Sequence, residues 1–159
     1  TPLVNETAPQ LAHRLSVAKA QALANKYPQH LIIGSDQVAM FADQLIGKPL
    51  THDNAAQQLR LFSGQCVYFY TGLCVFNSQT KKMQSCVELF SVYFRTLSSE
   101  QIERYLRAEE PYFCAGSFKS EGLGICLFDK LEGNDPSSLI GLPLIQLVTM
   151  LNNQGLTIP

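Results

Sequence analysis

Leu31-Ile32-Ile33-Gly34-Ser35-Asp36-Gln37 is the stretch on which the reading of this chain turns. Its short apolar opening is typical of a strand covered on both faces. It becomes polar at once, and in open α/β sheets ligands bind at the carboxyl ends of strands. An Asp placed there is held by rigid backbone and can reach a metal ion or a water. An Asp that merely closes an Asx-turn fits the same spacing, so both readings of Asp36 stand at this level.

Upstream, residues 8–27 read as a helix, with Leu11, Leu15, Ala18 and Ala22 at helical spacing and Tyr27-Pro28 as its end. Downstream, Phe41 to Ile46 reads as a small hairpin. Thr51 suits the N-cap of a helix through Leu61, stopped by Ser63-Gly64. Residues 66–76 and 84–95, rich in Val, Phe, Tyr and Cys, read as antiparallel strands around the polar Asn77 to Lys82. Ser98 and Gln101 form a capping box for a helix whose apolar face is Ile102, Tyr105 and Leu106. Gly124 to Leu131 reads as a further strand. Pro143 opens a last helix with Leu144, Leu147, Val148 and Leu151 as its buried stripe. Helices and strands interleave without a repeat or linker. The pattern predicts one α/β (α+β) domain over residues 1–159, a mixed twisted sheet flanked by helices.

Composition agrees with that class. The 159 residues are 46% hydrophobic and 16% charged, too apolar for a disordered tail. With 12 basic and 13 acidic residues the formal charge is −1. That balance argues against a nucleic-acid surface, which carries a basic excess, but not against a small anion held by a few lysines. No apolar run approaches the roughly 20 residues of a membrane span, and no signal peptide is visible. The five cysteines include no C-x-x-C pair, and no His stands at metal spacing beside them. They read as free, mostly buried thiols in a cytoplasmic protein.

Three further segments can carry chemistry. Lys48, fixed between Gly47 and Pro49, suits a phosphate contact as well as it suits a surface turn. No P-loop occurs. Cys114 to Gly124 holds three glycines within nine residues, which permits close backbone approach to a ligand. If that segment is extended, Lys119 and Glu121 point to the same side. Lys19 by itself reads as a solvated helix charge. His13, His30 and His52 mark no triad or metal site.

In register, these segments resemble the Maf family of nucleoside triphosphate pyrophosphatases. The matching words are Lys19-Ala20, Ile33-Gly34-Ser35-Asp36-Gln37, Gly47-Lys48-Pro49, Ser63-Gly64 with Tyr70-Thr71-Gly72, Ala115 to Gly122, and Leu131-Glu132-Gly133 with Gly141-Leu142-Pro143-Leu144. The Ser-Asp-Gln and Ser-Phe-Lys-Ser-Glu-Gly versions look like the subgroup that acts on 7-methyl-GTP. The resemblance implies a Maf/ITPase-like fold. It also implies hydrolysis of the α–β phosphoanhydride bond, giving a nucleoside monophosphate and pyrophosphate with a divalent cation, Mg²⁺ or Mn²⁺. Asp36 would match the proton acceptor and a metal ligand. Gln37 and Glu121 would match specificity positions, and Lys19, Lys48 and Lys119 the phosphate-binding lysines. A homodimer is a further implication. The family's opening strand and Ser-x-Ser-x-x-Arg phosphate loop have no counterpart here. The expectation is a domain lacking that first unit, about the length of one β-loop-α unit. The alternative function is a nucleotide-binding regulator of cell division that does not turn its ligand over. A cap- or RNA-binding module lacks the basic patch with interleaved aromatics that it would need.

Overall fold

The computed structural model describes residues 1–159. In chain order its elements are α1 (Ala8–Ala22), β1 (Leu31–Phe41), β2 (Gln44–Ile46), α2 (His52–Phe62), β3 (Cys66–Asn77), β4 (Met83–Phe94), α3 (Ser99–Glu109), a 3₁₀ turn (Leu123–Leu127), β5 (Phe128–Gly133), α4 (Pro136–Ile140) and α5 (Leu144–Asn153). The strands form one sheet in the order β2-β1-β3-β4-β5. The interleaved α/β architecture is the one the hydrophobic spacing predicts. β1 pairs with β2, and β4 with β5, in antiparallel register. The first hairpin closes through Ala42 and Asp43 at φ 47° and 62°. Two positive φ values in a two-residue loop are the geometry that matches strand twist. No helix is long and apolar enough to cross a membrane.

By its internal contacts the chain divides into two compact units, and it passes from one to the other within β1, β3 and β4. The first unit comprises Thr1–Val38, Tyr70–Leu89 and Asn134–Pro159. Its core lies on both faces of β3. Cys74 and Phe76 pack with Ile32 and with Ala20 of α1, while Leu73 and Val75 pack with Leu147 and Met150 of α5. Alternate residues of a strand point to opposite faces, so a strand covered on both reads as a continuous apolar run. Thr7 and Gln10 form a capping box that starts α1. The helix stops at Ala22 rather than Tyr27, because the chain tightens into turns after Leu23. Lys26 N–H donates to the Leu23 carbonyl at 3.1 Å. The stripe of α5 is also rotated from the expected one. Leu144 is exposed, and Met150 supplies the contact with β3 instead.

Asp135 ties two helix starts together. Its buried carboxylate accepts the N–H groups of Ser137 and Ile145 at 2.9 Å each, and the Ser137 hydroxyl. Burial pushes its pKa up, but these hydrogen bonds outweigh burial and hold it below the usual Asp value. A depressed folded-state pKa gives stability that is present above the unfolded value of about 3.9 and lost as pH falls through the folded one. Asp135→Asn should therefore lower the urea midpoint at pH 7, with the gap from the parent closing as pH drops below about 4. A gap that stays constant down to pH ~2.5 would remove the carboxylate's charge from this role.

The second unit comprises Ala39–Phe69 and Phe90–Gly133. Its centre is a chain of edge-on aromatic rings. Phe118 lies 4.9 Å from Phe128, 5.4 Å from Phe69 and 5.7 Å from Phe94, ring centre to ring centre. Thr51 and Ser98 cap α2 and α3 as their positions predict. The strand expected from Gly124 begins only at Phe128. The amides that would start it are turned inward. Gly124 N–H donates to the Lys119 carbonyl at 3.0 Å, and Leu123 N–H to Glu109 Oε2 at 2.7 Å. All five cysteines are free; Cys74 is buried and Cys126 exposed.

Candidate active site

Asp36 and Gln37 lie inside β1, not after it, because the strand continues to Phe41. The Asx-turn reading of Asp36 therefore falls. In the first unit α1 lies very close to the sheet. A Cβ added to Gly34 would stand 2.2 Å from the Ser16 carbonyl oxygen, and one added to Gly72 would stand 2.2 Å from that of Ala12. That approach brings Lys19 Nζ to 2.5 Å from Asp36 Oδ1 and 3.0 Å from the Ser35 carbonyl oxygen. The Asp36 side chain is 18% exposed and that of Lys19 57%, so the pair is open to solvent on the lysine side.

Gln37, the next residue, faces the other side of the strand. Its Nε2 donates within 3.0 Å of Thr71 Oγ1 and of the Ser138 and Leu139 carbonyls of α4. With three acceptors around it, that atom can only be the amide nitrogen. Thr71 is fully buried and donates to the Ser138 carbonyl at 2.8 Å. The Ser35 hydroxyl lies 2.8 Å from the carbonyls of both Gly72 and Gly141. The first unit thus gathers Lys19 with Asp36, and separately pins Gln37 to α4.

Lys48, Lys119 and Glu121 belong to the second unit. The carbonyls flanking Lys48 are gripped by two amides one turn apart on α2: Gln58 Nε2 donates to Gly47 at 3.1 Å and Asn54 Nδ2 to Pro49 at 2.9 Å. Lys119 N–H donates to the buried Tyr105 hydroxyl at 3.1 Å, and its Nζ lies 3.7 Å from Glu109 Oε1. The segment after Lys119 is not extended. Gly122 N–H returns to the Lys119 carbonyl at 3.3 Å, so Ser120 and Glu121 form the corner of a turn, and the extended backbone that would set Lys119 and Glu121 on one side by alternation is absent. Cys114 stands among these charges. Burial raises its thiol pKa, Lys119 and Lys48 lower it, and Glu121 and Glu109 raise it. Both lysines and both carboxylates therefore act on one locus.

Tyr105, Gln58 and Glu109 lie in none of the motif words, and Thr71 lies in Tyr70-Thr71-Gly72 without being marked there as a support of Gln37. Thr71 carries a weak signal as a polar residue in an apolar strand. Glu109 carries none, since on a helix it reads as one more solvated charge.

The first unit sets Lys19 against the strand carboxylate of Asp36, and the second holds Lys48 and Lys119 on hydrogen-bonded loops. The chain belongs to the Maf family: the family model described as Maf-like protein matches residues 1–154. The chain is 55% identical over 154 residues to a protein of Colwellia psychrerythraea named 7-methyl-GTP pyrophosphatase, covering 97% of this chain and 77% of that one. Proteins of the same name from Aliivibrio fischeri and Vibrio cholerae are each 54% identical over 158 residues, covering 99% of this chain and 82% and 81% of theirs.

Proposed function

We propose that this protein hydrolyses the α–β phosphoanhydride bond of 7-methyl-GTP, releasing the nucleoside monophosphate and pyrophosphate. The observation that carries the reaction is the Lys19–Asp36 pair at 2.5 Å, fixed on a strand by the close approach of α1. The substrate follows from the relatives named for it.

An ammonium group has three N–H donors. Asp36 and the Ser35 carbonyl engage two, and the third suits a phosphate oxygen. Water attacks the α-phosphorus, and its proton passes to the Asp36 carboxylate. The bond from that phosphorus to the bridging oxygen breaks, and its electron pair leaves with pyrophosphate. Lys48 and Lys119, which match the family's phosphate-binding lysines, are the candidates for offsetting the negative charge that repels the incoming water. No group of three or more His, Cys, Asp or Glu side chains is arranged to hold a metal. One carboxylate oxygen on Asp36 is nonetheless the donor set that suits Mg²⁺ or Mn²⁺, which take their other ligands from water and substrate phosphates. When bound, such a cation supplies charge neutralisation at the phosphates.

Methylation at N7 makes guanine cationic, and a carboxylate is the natural partner of that charge. Glu121 takes this role. Gln37 lies on the face of β1 opposite Asp36, with its amide nitrogen held by Thr71 and α4, and no contact with the base is assigned to it. The test is a panel of 7-methyl-GTP, GTP, dTTP and UTP with Mg²⁺, using full-length protein and identifying the phosphate product. Pyrophosphate release from 7-methyl-GTP is expected. Tight binding without turnover would favour a regulator instead. In the same panel Glu121→Gln should shrink the preference for 7-methyl-GTP over GTP by about tenfold, the weight of one charge-assisted contact. An unchanged ratio would remove Glu121 from base selection.

A further inference from the structure

We propose that Gln58 is a positioning residue that locks the Lys48 loop and the Lys119 loop into one body, so that both ammonium groups meet a polyphosphate in fixed register. Gln58 has no place in the chemistry above, yet its side chain is the only one hydrogen-bonded to both loops. Its Nε2 donates to the Gly47 carbonyl at 3.1 Å, and its Oε1 accepts from the Ser117 hydroxyl at 2.5 Å. Gly47 and Ser117 each lie within two residues of the lysine concerned.

Chemistry restricts this position. A bridge from a carbonyl to a hydroxyl donor needs a side chain that donates and accepts at once, which an amide does and an ionised carboxylate or an alkyl group does not. Ser117 is fully buried at φ 62°, so its hydroxyl has little freedom to find another acceptor. Each loop also has anchors that do not involve Gln58. Asn54 holds the Pro49 carbonyl and Tyr112 O holds the Leu50 N–H, while Tyr105 and the buried Phe118 ring hold the Lys119 side. Loss of Gln58 therefore leaves two folded loops joined through the Leu50–Tyr112 backbone bond, with Gly47 and Ser117, the residues beside the two lysines, no longer tied to each other. Both lysines are near enough to Cys114 to act on its thiol, against the larger effect of burial.

The kinetic arm of the test rests on the pyrophosphatase reading; the exchange arm does not. In the full-length protein, Gln58→Leu keeps the side-chain bulk and removes both bonds. It should raise KM for the nucleoside triphosphate and lower kcat/KM by about 10- to 100-fold per folded molecule, the scale of a misplacement near 1 Å. Ser117→Ala should cost less, and adding it to Gln58→Leu should cost nothing further, because the bridge is already gone. By hydrogen exchange, Gln58→Leu should loosen residues 46–50 and 116–120 together, whereas the control Asn54→Leu loosens 46–50 alone. Exchange that rises in only one loop with Gln58→Leu, or additive effects of the two bridge substitutions, would overturn the proposal. So would an unchanged kcat/KM in an enzyme whose parent is active. A parent without turnover would remove the pyrophosphatase reading, and the exchange pattern would still decide the role of Gln58.

Discussion

Asp36→Asn should leave the protein folded and reduce kcat by roughly 10²- to 10⁴-fold, the usual span for a positioned general base. The substitution is nearly isosteric. An Asn oxygen can still accept from Lys19, whose Nζ lies 2.5 Å from Asp36 Oδ1, so α1 keeps its seat on the sheet. What disappears is the capacity to take a proton from water. KM should therefore move much less than kcat, because the lysines proposed to meet the phosphates remain. The measurement is steady-state kinetics on 7-methyl-GTP with the full-length protein, with circular dichroism to confirm the fold. Full activity in Asp36→Asn would remove Asp36 as the base. A large rise in KM at unchanged kcat would recast it as a binding residue.

Gly34→Ala should produce a large loss of stability for a single added methyl. The added Cβ would lie 2.2 Å from the Ser16 oxygen, 2.7 Å from the Ala20 nitrogen and 3.0 Å from the Ala20 Cβ. Two of these are helix backbone atoms, so no side chain can swing away and α1 itself must lift. Overpacking of this kind costs about 1–3 kcal/mol. At about 2–4 °C per kcal/mol for a chain of this size, Tm should fall by roughly 2–12 °C. Activity should fall further than stability, because Lys19 adjoins Ala20 and rises with it. A thermal melt coincident with the parent's, together with intact kinetics, would show that the helix does not rest on Gly34.

Much of this was legible beforehand for identifiable reasons. Thr51 and Ser98 mark helix starts because a hydroxyl there satisfies an otherwise unpaired backbone N–H. The β3 run is legible because helices cover both its faces. Asp36, Lys48, Lys119 and Glu121 are visible through their motif words. The extension of β1 through Asp36 was not legible, since Gly-Ser-Asp has low strand propensity and tertiary pairing overrides it. The turn at Ser120-Glu121 depends on Glu109 and Tyr105, which lie on a helix remote in sequence. Hydrophobic period carries no record of such side-chain-to-backbone bonds. The same holds for Gln37, whose amide is held by carbonyls of α4 at the far end of the chain.

The first unit is assembled from separate stretches, and the last of them carries α5, which covers Leu73 and Val75. During synthesis Lys19 and Asp36 emerge early, but the face of β3 behind them stays uncovered until residue 153 has been made. Contacts of such long sequence separation close slowly, and apolar strands awaiting their cover are prone to wrong partners. The nascent chain thus carries the proposed catalytic pair well before it carries the helix that completes the surrounding core. A premature stop before α5 would yield a polypeptide that holds every proposed catalytic residue but exposes a sticky strand, a substrate for chaperones and proteases rather than for nucleotide.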